Sequence, residues 1–181
     1  YVQLGDAEKA INCFEQMLQG GFSPNSVTFL CVLNACSNIG LIDMGKEVHN
    51  NIVREGLIEK HSLLGNALVD MYAKCGVVKK AKELFEKLPV RNVVAWSALI
   101  SGYAQHGKPT QAFEMFDQMQ KNSVKPIKMT FLALLKICDL VRTMVHGRKI
   151  HDQIVKHDLI FDVELGNTLV HMYSKWGNLQ E

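Results

Sequence analysis

Asn66-Ala-Leu-Val-Asp-Met-Tyr-Ala-Lys-Cys-Gly76 returns 101 residues later as Asn167-Thr-Leu-Val-His-Met-Tyr-Ser-Lys-Trp-Gly177. Working outward, the echo continues at a spacing of 102: Tyr1, Gly5, Phe14, Gln16 and Met17 match Tyr103, Gly107, Phe116, Gln118 and Met119. Phe29, Leu33, Cys36, Gly45, His49 and Leu57 match Phe131, Leu135, Cys138, Gly147, His151 and Leu159 in the same register. One deletion accounts for the step from 102 to 101. Self-similarity at a fixed period marks a stacked repeat array, and such arrays usually bind along an extended groove.

The long period divides further. Ala10 with Phe14, Ala81 with Phe85 and Ala112 with Phe116 each open the second half of a shorter unit. Met17, Leu88 or Met119 follows at helical spacing, then a turn at Pro24, Pro89 or Pro126. The units run over 26–61, 62–92, 93–127 and 128–162, with partial units at 1–25 and 163–181. One continuous array is expected, as a piece of a longer protein.

Each unit holds two amphipathic stretches whose apolar residues lie three and four apart, a helical period. Over 94–105 the apolar set is Val94, Trp96, Leu99, Ile100 and Tyr103; over 110–121 it is Ala112, Phe113, Met115, Phe116 and Met119. Gly5, Gly40, Gly76, Gly107 and Gly177 are placed between paired helices, where positive φ ends the first of them. A lone hairpin cannot cover its own apolar face, so neighbours must stack. The expected fold is all-α, a solenoid of stacked antiparallel helical hairpins with one set of helices lining a concave surface. Its right hand is taken from related solenoids.

Composition agrees. The 181 residues are 48% hydrophobic, which excludes disorder. No run approaches the roughly 18–20 apolar residues of a membrane span, so no membrane role is expected. A net charge of +2, mixed along every segment, leaves the partner open. Five cysteines, with Cys36 and Cys138 in equivalent places on apolar faces, read as free buried thiols of a reducing compartment.

Val93-Val-Ala-Trp-Ser-Ala-Leu-Ile-Ser-Gly-Tyr-Ala-Gln-His-Gly107 resembles the standard unit of plant pentatricopeptide repeat proteins. Val27-Thr-Phe-Leu-Cys-Val-Leu-Asn-Ala-Cys36 with Gly45-Lys-Glu-Val-His49 is similar to the long variant of that unit. Gly65-Asn-Ala-Leu-Val-Asp-Met-Tyr-Ala-Lys-Cys-Gly76 is similar to the short one. Lengths of 36, 31 and 35 in succession resemble the subclass that cycles long, short and standard units, found in plant organelles and associated with cytidine-to-uridine editing. The rival is the tetratricopeptide repeat, a peptide-binding solenoid. Trp96, Leu99, Tyr103, Ala112 and Phe116 fit its spacing, but Ile100 stands where it has a small residue, and its units keep a constant length.

The family resemblance implies single-stranded RNA along the groove, one base per unit, with editing or processing proteins as further partners and a mitochondrial or chloroplast setting. It implies no cofactor and no small-molecule substrate. Base edges would be read by a polar residue early in the first helix together with the last residue of the unit. That assigns Asn66 with Asn92, and Ser97 with Ile127, whose apolar side chain departs from the pattern. Asn167 and Asn25 belong to units seen in part. Leu30 and Leu132 stand at reading positions of the long units but cannot hydrogen-bond a base. Leu63 and Val94 are either stacking wedges between bases or padding between units. Lys74 either contacts phosphate or sits on a solvated helix end.

Other chemistry fares worse. His49 and His151 recur about three units apart, too far to share an ion, so packed or interfacial histidines are expected. Cys31 and Cys36 lack partners at zinc-ligand spacing, and no metal site is expected. The His-x-Glu and Cys-x-x-Cys strings of a deaminase are absent from the chain, so no enzymatic activity is assigned to it.

Overall fold

The computed structural model describes residues 4–141 and 144–177. Tyr1, where the echo begins, and 178–181 of the last unit lie outside them. Among the described residues the chain is helical, with no strand. After α1 (Leu4–Gln19) come α2 (Ser26–Ile39), α3 (Ile42–Arg54), a single turn α4 (Leu57–Lys60), α5 (Ser62–Lys74) and α6 (Val78–Lys87). Then follow α7 (Val93–Gln105), α8 (Pro109–Lys121), α9 (Lys128–Val141), α10 (Met144–Lys156) and α11 (Val163–Gly177).

Local chemistry sets these boundaries. Asn25 and Asn92 accept the free backbone N–H groups that open α2 and α7, so α7 starts one residue before its apolar period does. Pro109 begins α8, where its missing N–H costs nothing. Gly40, Gly76 and Gly107 sit at φ of 75°, 83° and 65°, as the turns between paired helices require. Gly5 and Gly177 do not: both are helical, in α1 and at the end of α11. Each lacks, among the described residues, the paired helix whose entry would turn the chain there. The turn α4 was not foreseen, since four residues are too few to show a period.

First helices stack on one another: α2 on α5, α5 on α7, α7 on α9 and α9 on α11. Among the described residues the second helices α3, α6, α8 and α10 form no comparable backbone row, although α8 meets α10 through Gln120 with Gln153 and Phe113 with His146. Ring contacts tie α1, α6 and α8 to the next first helix: Phe14 to Phe29, Phe85 to Trp96, and Phe116 to Phe131. Leu33, Leu64, Leu99 and Leu135 are fully buried in one continuous core, each worth about 1.5–3 kcal/mol. The five cysteines are free thiols, but only Cys36 and Cys138 are buried, while Cys13 and Cys31 are exposed. Burial pushes Cys36 up to about 11 and Cys138 up to about 12, so both remain protonated core residues.

Candidate functional site

The positions expected to read bases fall at one place, the fifth residue of each first helix: Leu30, Asn66, Ser97, Leu132 and Asn167. Neighbouring first helices close over the inner ones. Asn66 is 4% exposed, and neither its Oδ1 nor its Nδ2 meets a partner among the described residues. An unpaired buried amide costs roughly 1–3 kcal/mol, recoverable by any ligand that supplies a matching edge. Ser97, 6% exposed, bonds through its Oγ to Thr130 Oγ1 at 2.7 Å. Leu30 and Leu132 pack against or within the core. Asn167 is exposed, in an open hollow of about 850 Å³ between α9 and α11 that also contains Lys128, Lys136, Asp139 and His171. A second hollow of about 310 Å³ lies beside α7 and α9 against Ser101, Gln105, Met129 and Leu132.

The last residues of the units have a task the sequence reading missed. Asn92 Oδ1 accepts from the N–H of Val94 at 3.0 Å and of Ala95 at 3.1 Å. Asn25 Oδ1 accepts from Val27 and Thr28 N–H, both at 3.0 Å. Both oxygens are committed to helix capping, which leaves each amide NH2 for other partners. Ile127 has no such oxygen; its backbone N–H donates to Thr130 Oγ1 at 3.3 Å. Asp162 occupies the same place before α11, accepts from the N–H of Glu164 and Leu165, and holds Lys128 at 3.0 Å. Its register alone would have flagged it beside Asn25 and Asn92.

The second residues of the first helices form a row. Val27, Leu63, Val94 and Met129 are 64%, 62%, 51% and 60% exposed. Half or more of Leu63 and of Val94 faces solvent. In α11 the row ends on a carboxylate, Glu164, which pairs with Lys128 at 2.8 Å. Lys74 sits near the end of α5, with Nζ 2.8 Å from Asp70 Oδ2. An exposed pair of this kind contributes at most about 1 kcal/mol, so Asp70 is a weak competitor for the lysine.

The recurrent histidines make side-chain hydrogen bonds at two matching junctions. His49 Nδ1 lies 3.0 Å from the Tyr72 hydroxyl, and His151 Nδ1 lies 3.0 Å from that of Tyr173. Burial, then the Lys80 charge, holds His49 below the usual histidine range, so its ring is neutral beside the Tyr72 hydroxyl. Burial raises Tyr72 and keeps that proton in place. Among the described residues, no group of three or more His, Cys, Asp or Glu could hold a metal ion.

With this array in view, the comparisons are decisive about kinship. The family model described as PPR repeat family matches residues 1–38 and 91–138, and the PPR repeat model matches 27–57 and 66–93. The chain belongs to the PPR repeat family. It is 37% identical over 182 residues to a chloroplastic pentatricopeptide repeat-containing protein of Arabidopsis thaliana, and 34% identical over 181 residues to a mitochondrial one from the same plant. Both alignments cover 100% of this chain, which spans 21% and 29% of those relatives' lengths. Among solved structures it is similar to the PPR protein PPR10 in complex with an 18-nt psaJ RNA element, with a TM-score of 0.78 and 20% identity over 97% of this chain and 28% of that one. It also matches PPR10 from maize, with a TM-score of 0.71 and 21% identity over 97% of this chain and 26% of the other. At that identity the PPR10 likeness speaks to the solenoid fold.

Proposed function

We propose that this PPR array is part of a sequence-selective single-stranded RNA-binding scaffold of plant mitochondria or chloroplasts. It acts in transcript processing or cytidine-to-uridine editing by positioning another activity on the bound RNA. The observation that carries the reading is the row Val27, Leu63, Val94 and Met129. Apolar side chains left in solvent at one place in successive helices are costly unless something flat lies between them. Bases stacked on such a row, with a polar residue three positions further along in α5 (Asn66) and α7 (Ser97), are the chemistry that an RNA strand offers. Support also comes from the family, whose member PPR10 has been solved with RNA.

The unit lengths of 36, 31 and 35 read from the sequence support membership of the subclass that cycles long, short and standard units. In this reading α5 and α7 carry the reading units, with Asn66 and Ser97 as the first-helix readers. Asn92 acts through its amide NH2, and Asn167 reads from α11. The long units, carrying Leu30 and Leu132, set the spacing. Lys74 exchanges Asp70 for a backbone phosphate. Fluorescent random-sequence RNA and a random peptide library, each titrated against the chain, test the proposal. Retention of RNA with a sequence preference that weakens in Asn66→Ala is the expected result. Peptide binding without RNA binding would replace this reading with an interaction solenoid.

A further inference from the structure

We infer that Thr130 is a positioning residue for base recognition by the preceding helix: it fixes Ser97 as a hydrogen-bond donor. The inference rests on the RNA-binding reading above. Its origin is a difference between two threonines at the same place, the third residue of a first helix. Thr28 Oγ1 lies 3.2 Å from the capping oxygen of Asn25 and donates to it, while accepting from the Asn25 N–H at 3.4 Å. Its hydroxyl is consumed within its own helix cap. Thr130 accepts in the same way from the Ile127 N–H at 3.3 Å, but Ile127 offers no side-chain oxygen for the proton. In the inferred arrangement that proton turns across to the neighbouring helix, where Ser97 Oγ lies 2.7 Å away. The isoleucine that breaks the family pattern is thus what frees Thr130.

A count of hydrogens motivates this polarity. A hydroxyl has one hydrogen and two lone pairs. Thr130 spends a lone pair on Ile127 and its hydrogen on Ser97, and Ser97 then retains its own hydrogen to give. The site is fully buried at Thr130 and opens slightly at Ser97, which keeps solvent from competing for the pair. A donor at this point favours a base whose pairing edge presents an acceptor, adenine N1 or cytosine N3. It disfavours guanine and uracil, which present N–H there. The other joints of the array pair different residues at this step. Asn66 faces the register of Ala95, which has no hydroxyl, and its amide is left unpartnered. Leu30 and Leu132 stand in register with Leu64 and Leu165. Reading polarity is therefore set jointly by the fifth residue of one first helix and the third residue of the next.

The test uses the full chain and RNA selected from a random single-stranded pool. Ser97→Ala identifies the base that α7 reads, as the position where preference is lost. At that position the ratio of affinity for adenine or cytosine over guanine or uracil is measured in wild type, Thr130→Val and Thr130→Ser. One hydrogen bond predicts a fall of roughly fivefold in Thr130→Val. Thr130→Ser should retain the wild-type ratio, and Thr130→Val should change nothing further in the Ser97→Ala background. An unchanged ratio in Thr130→Val, an equal loss in Thr130→Ser, or an additive effect on Ser97→Ala would overturn the inference while RNA binding stands. Failure of the wild-type chain to retain any RNA would overturn both.

Discussion

Helices α5 and α11 carry the same motif, and the structure treats the two copies differently. Val69 is fully buried in α5, whereas its counterpart Val170 is 70% exposed in α11. Asn66 is closed over and Asn167 is open. What differs is the neighbour: α5 lies between α2 and α7, while α11 packs against α9 and α10. Burial in this fold is thus conferred by the next first helix and not by the hairpin itself. A residue's type shows what it can do; its joint decides whether it packs or meets a ligand.

The comparison breaks most visibly at the valines. Val69→Asp puts an unpaired carboxylate into the α5–α7 joint and should cost roughly 3–5 kcal/mol, whereas Val170→Asp should stay within about 0.5 kcal/mol. Urea unfolding followed by circular dichroism measures both, and equal losses would contradict the neighbour account. Next comes the closest approach in that joint: a Cβ on Gly102 would sit 2.5 Å from the Ala73 Cβ and 3.1 Å from its Cα. Backbone cannot yield cheaply there, so Gly102→Ala should destabilise by about 1–3 kcal/mol. A smaller contrast separates the motif glycines. Gly166 has open space around it, and Gly166→Ala should stabilise by about 1 kcal/mol through helix propensity. Gly65→Ala must displace Leu88 Cδ2 at 2.5 Å and should lose that gain.

The smallest effect is the pH dependence at the His49–Tyr72 junction. His49 is held below its ordinary value, near pH 6.5 in an unfolded chain. As pH falls below that value, the unfolded chain binds this proton more readily than the folded one, so stability drops until the folded pKa is passed. Above it the contribution is complete. His49→Gln should remove this part of the slope in melts taken from neutral to mildly acid pH; an unaltered slope would show that other groups set it.

The fold was largely legible because period and register are properties of the chain itself. The spacing of Leu99, Tyr103, Ala112 and Phe116 gives two helices, and recurrence at 102 gives stacking. Gly5 and Gly177 misled, since a turn glycine acts only where a paired helix follows or precedes it. Site positions were legible as places but not as environments. The helical period does not reveal that Asn92 caps α7, that α7 closes over Asn66, or that Thr130 reaches Ser97 from 33 residues away. Each of these depends on contacts between helices or on loop conformation, which no pattern within one helix records.

The central claim is that a single strand of RNA lies along the first helices. Hydrogen exchange of the chain, with and without RNA enriched from a random single-stranded pool, tests it most directly. The account predicts slower exchange on adding RNA at the starts of α5, α7 and α9, with α6, α8 and α10 unchanged. Protection confined to the second helices, or none at saturating RNA, would contradict it.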